Sequence, residues 1–301
     1  MTDTPSVFPT EPEASFRRRL DAHGYGFQHA VLAYVGEWAD RTLWYPVAQE
    51  VPVEVRGEST RIDFVLERAR TKIFLVCECK RANPALSRWC FARARIVDRP
   101  AGRDRQVIAE RVARTVKPNS LIFNSGDKAR VATVSAGALR VAAADIFHHG
   151  VAVRTGQRGD ERSESGDEIE RAVSQVLRGT NGLVQLLQDR PELVEESQPW
   201  FISAVVFTTA ELFTSDVELE KASRTTGEAN WEGAAFRAVP WLAMNYNLSP
   251  GIKHTAQPEN EHTSLAAIVH HEYTRTVFIV GPDGIRSFLD WSSDNLAVGV
   301  A

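Results

Sequence analysis

Arg61-Ile62-Asp63-Phe64-Val65-Leu66-Glu67-Arg68-Ala69-Arg70-Thr71-Lys72-Ile73-Phe74-Leu75-Val76-Cys77-Glu78-Cys79-Lys80 reads as two hydrophobic strands joined by a charged turn at Arg68–Thr71. Strand side chains alternate between faces, so Glu78 and Lys80 point one way while Cys77 and Cys79 point the other. A hairpin tip at Arg70 and Thr71 sets Asp63 directly across from Glu78, with Cβ atoms about 4.5–5.5 Å apart. Two carboxylates that close repel each other unless a cation sits between them. Lys80 beside them adds a group able to transfer a proton or stabilise charge. Ile73–Cys77 is a continuous apolar run, the pattern of a strand buried on both faces. Charge gathered at the end of such a strand marks a site at a sheet's edge or mouth.

Around this stretch the chain has ordinary globular composition. It has 301 residues, 43% hydrophobic and 25% charged, enough for one large domain or two small ones. No apolar run approaches the roughly 18 residues that a membrane helix needs. Residues 1–13 are polar and Pro-rich, predict a disordered leader, and lack the apolar centre of an export signal. With that leader and three cysteines that read as reduced core thiols, the expected compartment is the cytoplasm. Cys90 adds no second ligand pair, which argues against a zinc site.

The net charge of −4 does not advertise a nucleic-acid partner, but its distribution does. From Arg81 to Lys117 there are ten basic residues, among them Arg81, Arg88, Arg93, Arg95 and Arg99, against three acidic ones. Arginines and lysines that neutralise phosphates supply sequence-independent affinity, and local patches outweigh the whole-chain sum. Trp89 and Phe91 interleave with this block, which begins directly after Lys80.

Farther along, Ala14–Ala22 and Phe27–Asp40 read as helices, the second with an apolar stripe of Phe27, Val31, Tyr34, Val35 and Trp38. Val47–Val55 reads as a strand, turning through Gly57-Glu58-Ser59 into the quoted pair. Residues 85–160 read as an insertion, with helical stretches near 85–95 and 104–116 and strands near 119–123, 130–135 and 140–153. Asp167–Asp189 is an amphipathic helix that feeds a buried strand at Phe201–Thr208. Ala210–Leu219, Phe236–Asn245 and Thr276–Val280 read as strands, and Pro282–Trp291 as a final helix. His148-His149 and His270-His271-Glu272 look like ligand clusters, but adjacent side chains diverge too far to share one ion easily.

An Ile-Asp followed by Glu-Cys-Lys on the next strand resembles the PD-(D/E)XK nuclease superfamily, with Ile62 standing where the motif's name has proline. The resemblance covers residues 26–81 most clearly. It implies an α/β, restriction-endonuclease-like mixed sheet flanked by helices, here with an inserted α/β segment at about 85–160. It also implies Mg²⁺ (or Mn²⁺) held by Asp63, Glu78 and the backbone carbonyl of Cys79, with Lys80 orienting or activating the attacking water. Many members carry a glutamate on the helix before the first strand, and Glu37 is the candidate here. Glu50 and Glu54 compete for that role and rank lower, because rim charges on edge strands are common. Gln175 on the later helix could face the site, although an exposed glutamine is the better expectation. The expected activity is hydrolysis of phosphodiester bonds in DNA. RNA as substrate, an inactive nucleic-acid-binding module and an α/β protein with coincidental charges are the alternatives. The expected partner is nucleic acid rather than a membrane. The oligomeric state is left open, a homodimer included.

Overall fold

In the computed structural model, residues 11–22, 24–92, 106–118, 128–140, 146–147, 149–153, 165–194, 198–248 and 273–298 are described. Their elements run α1 (Glu11–Ala22), α2 (Tyr25–Thr42), β1 (Trp44–Val55), β2 (Glu58–Arg68), β3 (Ile73–Lys80), β4 (Arg88–Ala92), β5 (Gln106–Pro118), β6 (Lys128–Arg140), β7 (Ile146–Phe147) and β8 (His149–Val153). After these come α3 (Ser165–Asp189), β9 (Trp200–Thr208), β10 (Glu211–Ser215), β11 (Phe236–Val239), β12 (Trp241–Asn247), β13 (Thr274–Val280), α4 (Ile285–Asn295) and β14 (Ala297–Val298).

Two tight turns make β1, β2 and β3 an antiparallel meander. Arg56 and Gly57 both take left-handed backbone conformations (φ 52° and 84°) between Val55 and its partner Glu58. That is the twist-matched two-residue hairpin in which glycine is favoured. The next turn places Arg70 at φ 61°, with Thr71 N–H and its hydroxyl both donating to the Arg68 carbonyl. The β2–β3 ladder pairs Phe64 with Cys77, Val65 with Val76, Leu66 with Leu75 and Glu67 with Phe74, the register expected from the sequence. After α3 the chain returns as β9, which lies parallel to β3 along its whole length.

The larger sheet runs β1-β2-β3-β9-β13-β12-β7, with β9 parallel to β13 and β12 antiparallel to it. Helices cover both faces. Val31, Leu32 and Val35 of α2 and Phe288 and Leu289 of α4 share one core with Phe64, Leu66, Leu75 and Cys77. Ile169, Val173, Val176 and Leu177 of α3 share the other with Val65, Phe74 and Val76. The fold is therefore mixed α/β, a mixed multi-stranded sheet flanked by helices, as expected. A second sheet, ordered β11-β10-β4-β8, contributes Trp89, Phe91, Ala152 and Leu212 to the core on the α3 side.

Where helices were expected near 85–95 and 104–116, the described residues form a single 3-10 turn at Pro84–Leu86 and the strands β4 and β5. In β4 the burial alternates, with Trp89 and Phe91 inside and Arg88 exposed. In β5 the β-branched Val107, Ile108 and Val112 are buried, and Glu110 is buried with them. Arginines at 111 and 114 imitate a helix face by spacing, but β-branched density and partner strands decide. The segment expected as an insertion is woven into both sheets: β5 pairs with β9, while β4 pairs with β8 and β10. Glu11–Glu13, placed in the expected leader, belong to α1. Residues 1–10, the strand expected near 119–123, His148 and His270-His271-Glu272 lie outside the described residues.

Candidate functional site

The β2–β3 backbone ladder stops at Phe64–Cys77, one step short of the pair expected between Asp63 and Glu78, whose charges nonetheless act on each other. There the Asp63 carboxylate replaces the ladder bond, its Oδ2 accepting from the Cys79 N–H at 2.7 Å. Strand alternation breaks at the same point. Ile62, which should lie with Phe64, packs in the α3-side core instead. Glu78 shares the α3 side of the sheet with Phe74 and Val76 and is 6% exposed. Lys80 follows on the same face, half-buried, its carbonyl accepting from Thr209 N–H at 3.2 Å.

Electrostatics mark this pair. Burial, then the charge of Asp63, push Glu78 up to about 8, against the opposing pull of Lys80. Burial raises Asp63 to about 6 although the Cys79 N–H pulls the other way. Glu50 adds to the rise of both. Burial beside Asp63 thus favours the protonated form of Glu78. Among the described residues its carboxyl has no hydrogen-bond or ion-pair partner. A buried acid in that state is disfavoured unless something pairs with it. Cys79 turns its thiol to the α2 side, where burial keeps it protonated, so only its backbone borders the acids.

Two neighbours escape the sequence pattern. Gln28 of α2 is buried, and its side-chain amide donates to Glu50 Oε1 at 2.6 Å and to the Asp63 carbonyl at 3.3 Å. Arg61 holds the other Glu50 oxygen at 2.9 Å. Glu50 itself adopts φ 49°, left-handed and unusual for a non-glycine residue. With Gln49 paired to Phe64 and Val51 to Ile62, it lies opposite Asp63. The buried face of α2 consists of Gln28, Val31, Leu32, Val35, Ala39 and Thr42, turned from the expected stripe toward Gln28.

Glu37 is exposed and is not brought to the site. It follows Gln28 by nine residues, and at about 100° per residue it emerges on the opposite side of the helix. Glu54 is exposed, as is Gln175 on α3. His149 is exposed too.

The described arginines of the basic block lie in separate surroundings. Arg81 is exposed just beyond Lys80, and Arg88 is engaged by Glu211 across β4 and β10 at 3.1 Å. Arg114 is half-buried and donates to the Val194 carbonyl. Arg93, Arg95 and Arg99 lie outside the described residues. Among the described residues no three His, Cys, Asp or Glu side chains close into a cage for an ion. No described helix is long and apolar enough to cross a membrane.

A scan against protein-family models and searches of curated proteins and of solved structures returned no match. The superfamily resemblance therefore rests on Asp63, Glu78, Lys80 and the order of the elements that carry them.

Proposed function

We propose that this protein is a divalent-cation-dependent nuclease of the PD-(D/E)XK, restriction-endonuclease-like kind, hydrolysing phosphodiester bonds in DNA. The observation that carries this reading is Glu78, a buried acid without a hydrogen-bond or ion-pair partner among the described residues, near Asp63 and on one face with Lys80. A helix, an antiparallel three-strand meander and, after the strands β4–β8, a further helix and a strand parallel to the third surround it, which supports the reading.

The residues fit Mg²⁺ or Mn²⁺. Two carboxylates are what a hydrated magnesium ion commonly takes from a protein, with waters and substrate phosphate completing its shell. Among the described residues no third side chain closes a cage, and the Cys79 thiol lies on the α2 side, away from Glu78 and Lys80. Asp63 and Glu78 would hold the ion with the Cys79 carbonyl, and the ion would supply Lewis acidity toward the phosphate and an acidified water.

The chain's own groups do the rest. The bond from Cys79 N–H fixes the Asp63 carboxylate against β3, so the two acids keep their spacing as substrate arrives. As a ligand Glu78 would be ionised, its proton passing to solvent. Lys80 hydrogen-bonds the attacking water and offsets charge on the phosphoryl oxygens in the transition state. Arg81, exposed just beyond Lys80, contacts a backbone phosphate in this reading.

The test is cleavage of single- and double-stranded DNA and RNA with Mg²⁺, with Mn²⁺ and with chelator. DNA cleavage that chelator stops is expected. Glu78→Gln and Asp63→Asn should each reduce it by about 1,000-fold or more. Lys80→Ala should lower kcat and kcat/KM together by about 100-fold without raising KM. Cleavage of RNA alone would move the substrate class, and no cleavage of any substrate by the wild type would overturn the reading.

A further inference from the structure

The four most exposed large apolar side chains among the described residues fall into two patches. Phe16 (66%) and Leu20 (59%) lie on α1, while Phe236 (59%) opens β11 and Trp231 (55%) stands in the loop before it. Apolar residues exposed singly are ordinary on a protein surface, but grouped ones mark contact sites.

α1 is turned the wrong way for a helix that serves only its own chain. At about 100° per residue, Phe16 and Leu20 share one face while Ala14 and Ser15 lie toward the other. Ala14 and Ser15 are the half-buried pair on this helix, which packs on α2. The small side chains are therefore turned inward and the large apolar ones outward. Arg17 and Arg19 flank the outward stripe, exposed and without an ion-pair partner among the described residues, and Arg18 lies behind it.

The second patch is preformed. Trp231 and Phe236 stack with ring centroids 5.9 Å apart and planes 17° from parallel. Asp216 Oδ1 accepts from the Ala235 N–H at 2.7 Å and closes the loop that carries Trp231, beside the sheet edge formed by β11. From Asp216 to Arg237 the chain has five acids against three bases. Two of those bases, Lys221 and Arg237, already face Glu218 and Asp216. Glu220, Glu228 and Glu232 are exposed in the same loop.

We infer that α1 of one copy docks its Phe16–Leu20 stripe on the Trp231–Phe236 patch of a second copy, with Arg17 and Arg19 against the acids of that loop. An apolar stripe flanked by bases then meets an apolar patch flanked by acids, which is complementarity of shape-filling and of charge together. The chain does not satisfy itself, because both patches are exposed in one structure. Nucleic acid or an anionic membrane would suit the arginines but would be repelled by the acidic loop; a second copy uses both surfaces. One face of a 12-residue helix falls short of the roughly 1,200 Å² that a stable interface buries, and the reciprocal contact of a two-fold pair doubles it.

The experiment is analytical ultracentrifugation of the full chain at about 1–100 μM, with circular dichroism to confirm that each variant is folded. The wild type should be a dimer in equilibrium with monomer. Phe16→Ser with Leu20→Ser, and Trp231→Ala separately, should each raise the dissociation constant about 10-fold or more. Arg17→Glu with Arg19→Glu should raise it about 100-fold, as should Glu220→Lys, Glu228→Lys and Glu232→Lys together. An equimolar mixture of these two charge-reversed proteins should dimerise again, because both reciprocal contacts then join opposite charges. Arg18→Glu makes the same kind of charge change behind the stripe and should associate as the wild type does. A monomeric wild type, an assembly larger than a dimer, a mixture that stays monomeric, an Arg18→Glu loss equal to that of its neighbours, or a dimer that none of these variants weakens overturns the inference.

Discussion

Asp63 and Glu78 give the site a dependence on pH whose sign follows from burial. Both carboxyls are raised in the folded protein, to about 6 and about 8, so between pH 4 and 8 the folded chain retains protons that the unfolded chain has released. Stability falls with rising pH wherever the folded state binds more protons. The pair's contribution is therefore complete below the unfolded carboxylate range and is lost as pH passes through 6 and then 8. In urea melts at pH 5, 7 and 9 without divalent ions, Glu78→Gln should flatten this decline and gain about 1–3 kcal/mol over wild type at pH 9. Mg²⁺ should restore wild-type stability most at high pH, where no proton has to be displaced. A wild-type protein with no greater pH sensitivity than Glu78→Gln would show that the acid is hydrated rather than buried.

At the scale of elements, α3 reaches the meander through two glycines. A methyl group at Gly182 would lie 2.5 Å from Val53 Cγ2 of β1, and one at Gly179 would lie 3.0 Å from Ile62 Cγ1 of β2. Glycine inside a helix costs about 1 kcal/mol relative to alanine, so close packing has to offset that. Gly182→Ala should accordingly destabilise by about 1–3 kcal/mol despite alanine's better helix propensity. Val53→Ala should relieve part of the clash. Denaturant midpoints of the two single variants and the double variant check this, and a stabilised Gly182→Ala would mean that α3 stands off the sheet. The consequence reaches the site, because Ile62 and Glu50 flank the point where β1 and β2 depart from regular pairing.

Across the whole molecule, β5 is tied to β13 by a buried ion pair. Arg275 Nε and Nη2 donate to the two Glu110 oxygens at 2.7 and 3.0 Å, with both side chains 5% exposed or less. Such a pair contributes little net stability, but removing one partner strands the other charge in the core. Glu110→Gln should therefore cost about 3–5 kcal/mol, while Glu110→Leu combined with Arg275→Met should recover most of it. Equilibrium unfolding of the three variants measures the difference, and an equal loss in the double variant would assign the effect to packing. Thr276, beside Arg275 on β13, accepts from Ile108 N–H through its hydroxyl, so side-chain bonds join β5 and β13 at two adjacent positions.

The sequence by itself determined the β2–β3 register from Phe64–Cys77 to Glu67–Phe74 and the placing of Lys80 on the face of Glu78. It also determined the amphipathic α3 and the buried strand at Phe201–Thr208. These features rest on alternation and turn geometry within a few residues, and a single slip would have moved every core side chain to solvent. Tertiary structure alone decided the rest. The phase of α2 was set by the surface on which it docks, which brought Gln28 inward and sent Glu37 out. Glu50 met Gln28 across 22 positions, and Glu110 met Arg275 across 165, separations that no local period encodes. Residues 85–95 and 104–116 carried charges at intervals that suit a helix and alternation that suits a strand. Local spacing left the two nearly balanced, and the partner strands β8, β9 and β10 resolved them by offering hydrogen bonds to backbone that would otherwise be buried without any.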